Sequence, residues 1–366
     1  MPDFGYSLPP ELVAQEPDPR RDGSRLLVRE KNGRRIFSKF SELDSFFPEG
    51  SVLVVNDTKV FASRLIGQTE HGGKVEIFIS EPLSGGPVRV KVLARPLRKL
   101  VVGKTILFQG GLRAVVVDGG THRGDAEKKG FATLEFPFSA SEFYAYLTRE
   151  GFVPLPPYIK RNENPRASSL DGESYQTVYA QHMGSVAAPT AGLHFTEETF
   201  SLMKKKGIRI VSVTLHVGPG TFLPVREDEI EKHHMHTECY SVPAKTLAEI
   251  DQARRNKRPV VAVGTTALRS LEALKNEADR QKRSIRELCD LWHHTDLFIH
   301  PKTETDRYRP WCVDGLLTNF HQPYSTLFML VSALIGLTEA KVLYNEAVGK
   351  RMRFHSYGDS SLLWLG

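Results

Sequence analysis

The spacing of hydrophobic positions changes along the chain, and each change predicts a different kind of structure. Near the N-terminus, RLLVR (residues 25–29) and SVLVVNDTKV (residues 51–60) are apolar runs typical of buried strands. From residue 74 to residue 136 the runs become short and alternating or β-branched, with turns such as SGGP and QGG between them. This middle segment is therefore predicted to be all-β.

One helix is expected after the all-β segment. In SASEFYAYLTREG, Ser139 and Glu142 have the spacing of a capping box, and Gly151 follows the last turn. The proline-rich FVPLPPYI that comes next cannot continue a helix. We therefore predict a small β-barrel insert over residues 65–153, within a discontinuous α/β domain made of residues 1–64 and 154–366.

Beyond the proline-rich linker, apolar strands alternate with amphipathic helices, which favours parallel strands joined by crossover helices. The predicted strands are GSVAA, IRIVSVTLHV, RPVVAVG, DLFIHP and VDGLLTN. Ligands of such folds bind at the carboxyl ends of the strands, where the loops converge. We therefore expect one pocket to collect the polar residues found at strand ends, namely Asn56, Asp57, His194, His216, Thr265, Asn319 and His321.

Composition narrows the class of protein. The 366 residues are 40% hydrophobic and 25% charged, which is typical of a globular protein with a large core. Three widely spaced cysteines without a C-x-x-C pair cannot build a disulfide framework and indicate a reducing compartment. The N-terminus lacks a signal-peptide pattern, and the longest apolar stretch, residues 326–337, is too short to span a bilayer. A soluble, cytoplasmic protein is expected.

Positive charge is concentrated in the predicted insert. Residues 82–117 contain seven Lys or Arg residues and no Asp or Glu, whereas the whole chain carries a formal charge of only +6. Such a run is either a solvated face or the electrostatic footprint of a polyanion partner. The candidate RNA-binding residues are Arg89, Lys91, Arg95, Arg98 and Lys99.

The segment HHMHTECY (residues 233–240) carries a second candidate chemistry. If it is extended, His234, His236, Glu238 and Tyr240 point to one side. Imidazole and carboxylate suit zinc, so a metal-dependent hydrolase is one alternative, although no H-E-x-x-H motif or cysteine pair completes the site. Contact with substrate, general acid–base catalysis and an ordinary surface strand are the others. No G-x-G-x-x-G motif or P-loop follows any strand, so the sequence gives no support for a dinucleotide- or NTP-dependent enzyme.

Taken together, a set of long motifs resembles the S-adenosylmethionine:tRNA ribosyltransferase-isomerase family of queuosine biosynthesis. These motifs span nearly the whole chain and are NDTKVFASRL, PLPPYI, YQTVYA, GSVAAPTAGLHFT, TLHVGPGTFLPV, HHMHTECY, VAVGTTALRSLE, LLTNFHQPYSTLFMLVSALIG and FHSYGD. One departure is visible, because Ala62 stands where the family usually has proline. It falls at the predicted domain junction and not among the candidate site residues.

The resemblance implies a TIM-like α/β barrel with an inserted small β-barrel. It also implies transfer and isomerisation of the ribosyl part of S-adenosylmethionine onto 7-aminomethyl-7-deazaguanine at the tRNA wobble position, giving epoxyqueuosine, adenine and methionine. The implied partner is a tRNA with a GUN-type anticodon, the implied co-substrate is S-adenosylmethionine, and no metal is required. A monomer is expected. A non-catalytic RNA-binding protein remains a further alternative.

The reaction implied by this resemblance needs positioned acid and base groups, because a proton leaves the ribose C5′ and the departing adenine gains one. Histidine titrates near neutrality and suits both tasks, and a carboxylate could orient it or hold the sulfonium. The candidate catalytic residues are His194, His216, His236, Glu238, His321 and Asp57. The candidate S-adenosylmethionine-binding residues are Asn56, Thr58, Thr190, Gly192, Gly218, Gly220, Thr221, Thr265 and Asn319.

Overall fold

The computed structural model describes residues 4–80, 87–119, 131–161, 167–218, 230, 235–303 and 306–366, with backbone only for 167–170. Gly220, Thr221 and His234 therefore lie outside the described residues. In the described part of the chain the strands form a nine-stranded sheet, a closed six-stranded barrel and a two-stranded sheet.

The nine-stranded sheet holds the centre of the fold. Its strands, in spatial order, are β15 (His293–Thr295), β13 (Glu238–Ser241), β12 (Arg209–His216), β3 (Val52–Asn56), β14 (Val260–Val263), β16 (Gly315–Asn319), β17 (Ser360–Trp364), β1 (Arg25–Arg29) and β2 (Arg35–Lys39). Strands β12, β3, β14 and β16 are parallel, as the alternation of strands and helices predicts. Successive residues of β3 enter different apolar clusters, Val52 and Val54 on one face and Leu53 and Val55 on the other. The sheet is therefore buried on both faces, which explains its continuous apolar runs.

The TIM-like barrel implied by the resemblance is not confirmed. Within the described residues the sheet is open and mixed, with β15 and β2 at its two ends. The pairs β12–β13, β13–β15, β16–β17 and β1–β2 are antiparallel, whereas a TIM barrel needs eight parallel strands closed on themselves. Alternation of strands and helices predicts local crossovers but does not determine whether a sheet closes.

The closed barrel is built by antiparallel strands from the predicted insert. In spatial order they are β10 (Phe131–Phe136), β7 (Val88–Arg95), β6 (Lys74–Ile79), β5 (Arg64–Thr69), β8 (Thr105–Phe108) and β9 (Arg113–Asp118). Helix α1 (Ala140–Glu150) begins with the predicted capping box and packs Phe143 on Phe136, with ring centroids 4.1 Å apart. The barrel thus has its own apolar core.

The remaining elements cover the large sheet or connect it to the barrel. The two-stranded sheet pairs β4 (Thr58–Val60) with β11 (His182–Ser185). The helices are α2 (Ala167–Ser174), α3 (Glu197–Lys205), α4 (Ala244–Arg255), α5 (Gly264–Gln281), α6 (Thr326–Ile335) and α7 (Leu337–Gly349). The described residues contain no single helix that is long and apolar enough to cross a membrane, and α6 with α7, bent by 115°, passes such a test only as a pair.

Two strand assignments made from sequence differ from the structure. DLFIHP (residues 296–301) contains no strand, and its apolar side chains instead pack along the wall of a cavity. GSVAA supplies only the end of β11, which pairs with β4 outside the large sheet. An apolar run records burial, and burial against a loop or cavity wall produces the same pattern as a short strand.

Candidate active site

A cavity of about 430 Å³ opens where the parallel strands of the large sheet end, as the arrangement of polar strand ends predicts. Its wall includes Val217 after β12, Thr265 after β14 and Asn319 at the end of β16. The volume falls within the range of small-molecule sites. The cavity is therefore the candidate active site.

The structure brings part of the predicted set to this wall. The predicted residues that line the cavity are Thr190, Glu238, Thr265, Asn319 and His321. Loops converge there because four parallel strands end at the same edge of the sheet. The other described candidates lie behind the wall or on a different face, and their contacts are given below.

Glu238 is held in the wall by two contacts. Its Oε2 accepts a hydrogen bond from Arg269 Nη1 at 2.5 Å, and its Oε1 accepts one from the backbone N–H of Gly218 at 3.1 Å. Glu238 and Arg269 are 7% and 6% exposed, so this is a buried ion pair. Gly218 therefore supports Glu238 through its backbone and does not itself line the cavity.

His321, His194 and His355 are buried around one end of the cavity, and His321 and His355 line it. Burial lowers the pKa of His321 to about 3, and lowers the pKa values of His194 and His355 to about 4. All three imidazoles are therefore neutral near pH 7. His321 Nε2 is 2.9 Å from Thr318 Oγ1, which leaves Nδ1 as its free nitrogen within the described part of the chain.

His194 lies behind the wall with both ring nitrogens engaged. Its Nδ1 is 2.8 Å from Ser24 Oγ, and its Nε2 is 3.0 Å from Asn319 Nδ2. Its ring stacks on Phe40 with centroids 5.0 Å apart. A histidine with both nitrogens engaged is suited to positioning Asn319 rather than to direct proton transfer.

Asn56 also acts behind the wall. It donates from Nδ2 to Thr266 Oγ1 at 3.1 Å, and Thr266 lines the cavity. Its Oδ1 accepts hydrogen bonds from the backbone N–H groups of Leu215 and Thr58. Gly192 packs against Tyr179, where an added Cβ would lie 1.9 Å from the phenolic oxygen, so close packing explains this glycine.

A second polar cluster lies on the other face of β12 and consists of Asp57, Thr58, His182 and His216, beside the exposed ring of Trp292. His216 Nδ1 is 2.8 Å from Thr58 Oγ1, and its ring stacks on Trp292 with centroids 5.1 Å apart. Thr214 donates to Asp57 Oδ1 at 2.6 Å. Burial lowers the pKa of His216. These residues do not line the described cavity wall.

His236 lies at the contact between the barrel and the α/β part of the chain. Its ring meets Phe131 of β10 at 6.2 Å between centroids, and Lys91 Nζ lies 4.8 Å from the centre of the same Phe131 ring. The pKa of His236 is lowered, chiefly by burial. Within the described residues, no group of three or more His, Cys, Asp or Glu side chains could hold a metal ion.

The basic residues of the insert are more compensated than the sequence indicates. Arg89 pairs with Glu135 of the neighbouring strand at 2.6 Å, and Glu76 stands opposite Arg95 in the register of β6 and β7. Lys99 donates from Nζ to the carbonyl of Lys74 at 2.8 Å. The count of acids along residues 82–117 misses these carboxylates, because the sheet brings them from other strands.

Three residues that the sequence reasoning did not select contribute to the wall: Arg269, Tyr158 and His355. Arg269 lies on the buried face of α5, where a charged residue among leucines was a detectable signal. His355 belongs to the FHSYGD motif and has a backbone φ of +71°, which is uncommon outside glycine. Tyr158 belongs to the PLPPYI motif of the proline-rich linker.

Comparisons with known proteins agree on one family. The sequence profile described as queuosine biosynthesis protein matches residues 1–363. An S-adenosylmethionine:tRNA ribosyltransferase-isomerase of an Anaeromyxobacter species is 43% identical over 364 residues, covering 99% of this chain and 98% of that protein. The protein of that name from Citrifermentans bemidjiense is 42% identical over 368 residues, covering 99% of both. A crystal structure of S-adenosylmethionine tRNA ribosyltransferase from Thermotoga maritima matches with a TM-score of 0.52 and 31% identity, and covers 99% of both chains.

Proposed function

The chain belongs to the queuosine biosynthesis protein family, and from this we infer that it is an S-adenosylmethionine:tRNA ribosyltransferase-isomerase. It transfers and isomerises the ribosyl part of S-adenosylmethionine onto 7-aminomethyl-7-deazaguanine in tRNA. The products are epoxyqueuosine in tRNA, adenine and methionine. The substrate tRNA has a GUN-type anticodon, and the protein acts as a cytoplasmic monomer.

One observation about the cavity carries this function. Three residues of its wall are more than nine-tenths buried, yet each has polar atoms without a hydrogen-bond partner among the described residues: Arg269 Nη2, Asn319 Oδ1, and both ring nitrogens of His355. Buried polar groups are normally satisfied, so these atoms fit a polar ligand. S-adenosylmethionine offers a carboxylate, ribose hydroxyls and a purine, which are the groups such atoms bind.

The residues around the cavity have distinct roles in this proposal. Neutral His321 is the candidate base for the proton on C5′, because it lines the cavity and retains one free nitrogen among the described residues. Glu238 offsets positive charge and fixes Arg269. Asn56 and His194 hold wall residues in place, whereas Thr190 and Thr265 contact the donor.

The tRNA contacts are proposed to lie on two surfaces beside the cavity. Lys91 lies next to Phe131 and His236, which brings the basic face of β7 to the edge of the α/β part. Trp292 is 53% exposed and stacks on His216, and exposed aromatic rings are the platforms on which single-stranded RNA bases stack. Residues 65–153 thus form a tRNA-binding domain, and residues 1–64 with 154–366 form the catalytic domain.

The direct test is a reconstituted reaction. Purified protein is incubated with S-adenosylmethionine and tRNA that carries the aminomethyl precursor, and the anticodon nucleosides are then analysed by mass spectrometry. Epoxyqueuosine together with an equal amount of free adenine is expected. Binding of tRNA without release of adenine would instead indicate a non-catalytic RNA-binding protein.

A further inference from the structure

We propose that the cavity recognises the two ends of its donor separately, Asn319 and His355 binding the adenine base and Arg269 binding the α-carboxylate. This assignment rests on the proposed function, because it takes S-adenosylmethionine as the ligand. It makes His355 and Arg269 specificity-determining residues of the reaction. Neither follows from the polar strand ends found in the sequence.

The end of the cavity around His355 fits a purine. The neutral imidazole of His355 offers one hydrogen-bond donor and one acceptor, and Asn319 Oδ1 adds a second acceptor. These three atoms have no hydrogen-bond partner among the described residues. Adenine presents ring nitrogens that accept and an exocyclic amine that donates, so the two sets of groups are complementary. The Tyr158 ring meets His355 edge to face at 4.2 Å and supplies an aromatic wall beside these groups.

The backbone holds His355 in this position. Its N–H donates to the carbonyl of Phe320 at 2.9 Å, and its own carbonyl accepts from Asn319 Nδ2 at 3.1 Å and from the N–H of Gly358 at 2.9 Å. A positive φ on a residue other than glycine is retained only where the surrounding structure enforces it. The hydrogen bond with Asn319 links the two proposed purine-binding residues directly.

The opposite end of the cavity fits an anion. Arg269 donates from Nη1 to Glu238 and from Nε to the carbonyl of Leu297, which leaves Nη2 without a partner among the described residues. Helix α5, 18 residues long, begins at Gly264, and its first residues line the cavity, so its positive end faces the same space. The α-carboxylate is the one anionic group of S-adenosylmethionine.

The order of the strands separates these two ends. Glu238, which holds Arg269, is on β13, whereas Asn319 is on β16, and strands β12, β3 and β14 lie between them. The purine and the carboxylate are also at opposite ends of the donor. The sulfonium and the ribose then occupy the middle of the cavity, next to Thr190 and Thr265.

Donor analogues test the assignment on the wild-type protein, so no variant has to fold. The dissociation constant is measured by calorimetry, without tRNA, for S-adenosylmethionine, for its decarboxylated form, and for its 1-deaza, 3-deaza and 7-deaza forms. Removal of the carboxylate and removal of at least one ring nitrogen are each expected to raise the dissociation constant about tenfold, because each change removes one well-formed hydrogen bond. Equal binding of all the analogues would overturn the assignment.

Variants then connect each donor group to its residue. In His355→Ala, the deaza analogue that binds weakly to the wild type should bind as well as S-adenosylmethionine, and His355→Gln should restore part of the difference. In Arg269→Gln, the decarboxylated form should no longer be at a disadvantage. His71→Ala, on an exposed turn of the barrel, is the matched control and should keep every wild-type preference. A preference that survives in His355→Ala or in Arg269→Gln contradicts the role given to that residue.

The outcomes separate this inference from the proposed function. If the wild type makes epoxyqueuosine but shows no dependence on ring nitrogens or carboxylate, the function stands and the assignment of the two ends is wrong. If the wild type binds the donor with these preferences but releases no adenine with precursor tRNA, the assignment stands and the proposed function fails.

Discussion

His194 and Asn319 form a buried hydrogen bond in which Nδ2 of the amide lies 3.0 Å from Nε2 of the imidazole. Because the amide donates, Nε2 has to be the acceptor, so the proton is on Nδ1 and faces Ser24 Oγ at 2.8 Å. The hydrogen bond selects one tautomer of His194 and one orientation of the amide. His194 was selected from the sequence as a candidate catalytic group, and the structure supports a positioning role for it.

The first prediction follows from this hydrogen bond. His194→Ala should weaken binding of S-adenosylmethionine by about tenfold, because the Asn319 amide then keeps only its hydrogen bond to the His355 carbonyl and is held less firmly towards the donor. A double-mutant cycle with Asn319→Ser, read out by calorimetry, should give a coupling free energy of about 1 kcal/mol. Strictly additive effects would show that His194 does not act through Asn319.

The second prediction concerns the buried pair of Glu238 and Arg269. Glu238→Gln should destabilise the fold by about 3 kcal/mol and weaken donor binding, because it leaves the Arg269 charge buried without a counter-ion. Urea unfolding and calorimetry measure the two effects. Glu70→Gln, at an exposed position just after β5, should change neither. Wild-type stability and affinity in Glu238→Gln would contradict the role given to this ion pair.

The third prediction separates the cluster around His216 from the cavity. His216→Ala and Trp292→Ala should each raise KM for tRNA about tenfold, because each variant loses the stacking of one base on the Trp292 ring. The affinity for the donor should stay within about twofold of the wild-type value. Steady-state kinetics with varied tRNA and calorimetry with the donor give the two values. Phe37→Ala, an exposed aromatic residue on the edge strand β2, is the control. A change in donor affinity without a change in KM for tRNA would show that the cluster belongs to the donor site.

The fourth prediction tests the basic face of the barrel. Arg89→Ala with Lys91→Ala should weaken tRNA binding and reduce the slope of log affinity against log salt, by about one for each phosphate that the variant no longer neutralises. Since Glu135 already compensates Arg89, the loss of Arg89 should reduce the slope by less than a full phosphate contact.

The control for the fourth prediction is the pair Lys245→Ala and Lys282→Ala. Both lysines are exposed, one near the start of α4 and the other at the end of α5, and α5 runs away from the cavity. This pair should leave the slope unchanged. Equal slopes in the wild type and in the Arg89 and Lys91 variant would place the tRNA contacts outside β7.

The fifth prediction concerns pH. Burial lowers the pKa of His194 and of His355 from an ordinary 6.5 to about 4, so between these values the unfolded chain binds more protons than the folded chain. The free energy of unfolding is therefore unaffected by these two histidines above pH 6.5 and decreases as the pH falls towards 4. At pH 5 the decrease is about 2 kcal/mol for each histidine. Urea unfolding at about pH 7.5 and about pH 5 should show the decline, and His355→Gln should reduce it. Equal unfolding free energies at both pH values would contradict the buried neutral state.

Several features follow from the sequence alone. The alternating and apolar runs predict the all-β segment and the parallel strands β3, β12, β14 and β16, because the alternation of buried and exposed side chains along a strand is visible in the local sequence. The same logic finds Asn319, Thr265 and His321 at the cavity, since loops after parallel strands converge at one edge of the sheet. Glu238, which also lines the cavity, was selected instead from the segment HHMHTECY. The long motifs also identified the family that the comparisons show.

Closure of the sheet and the composition of the cavity wall were decided by the tertiary structure. Strand β17 returns antiparallel beside β16, which breaks the all-parallel order that a TIM barrel requires, and its pairing joins residues far apart in sequence. Arg269 and His355 reach the cavity only because α5 and the turn after α7 pack over the strand ends. Glu135 meets Arg89 only because their strands, β10 and β7, are neighbours in the barrel. Local patterns record whether a residue is buried, whereas the partner against which it is buried depends on contacts between distant segments.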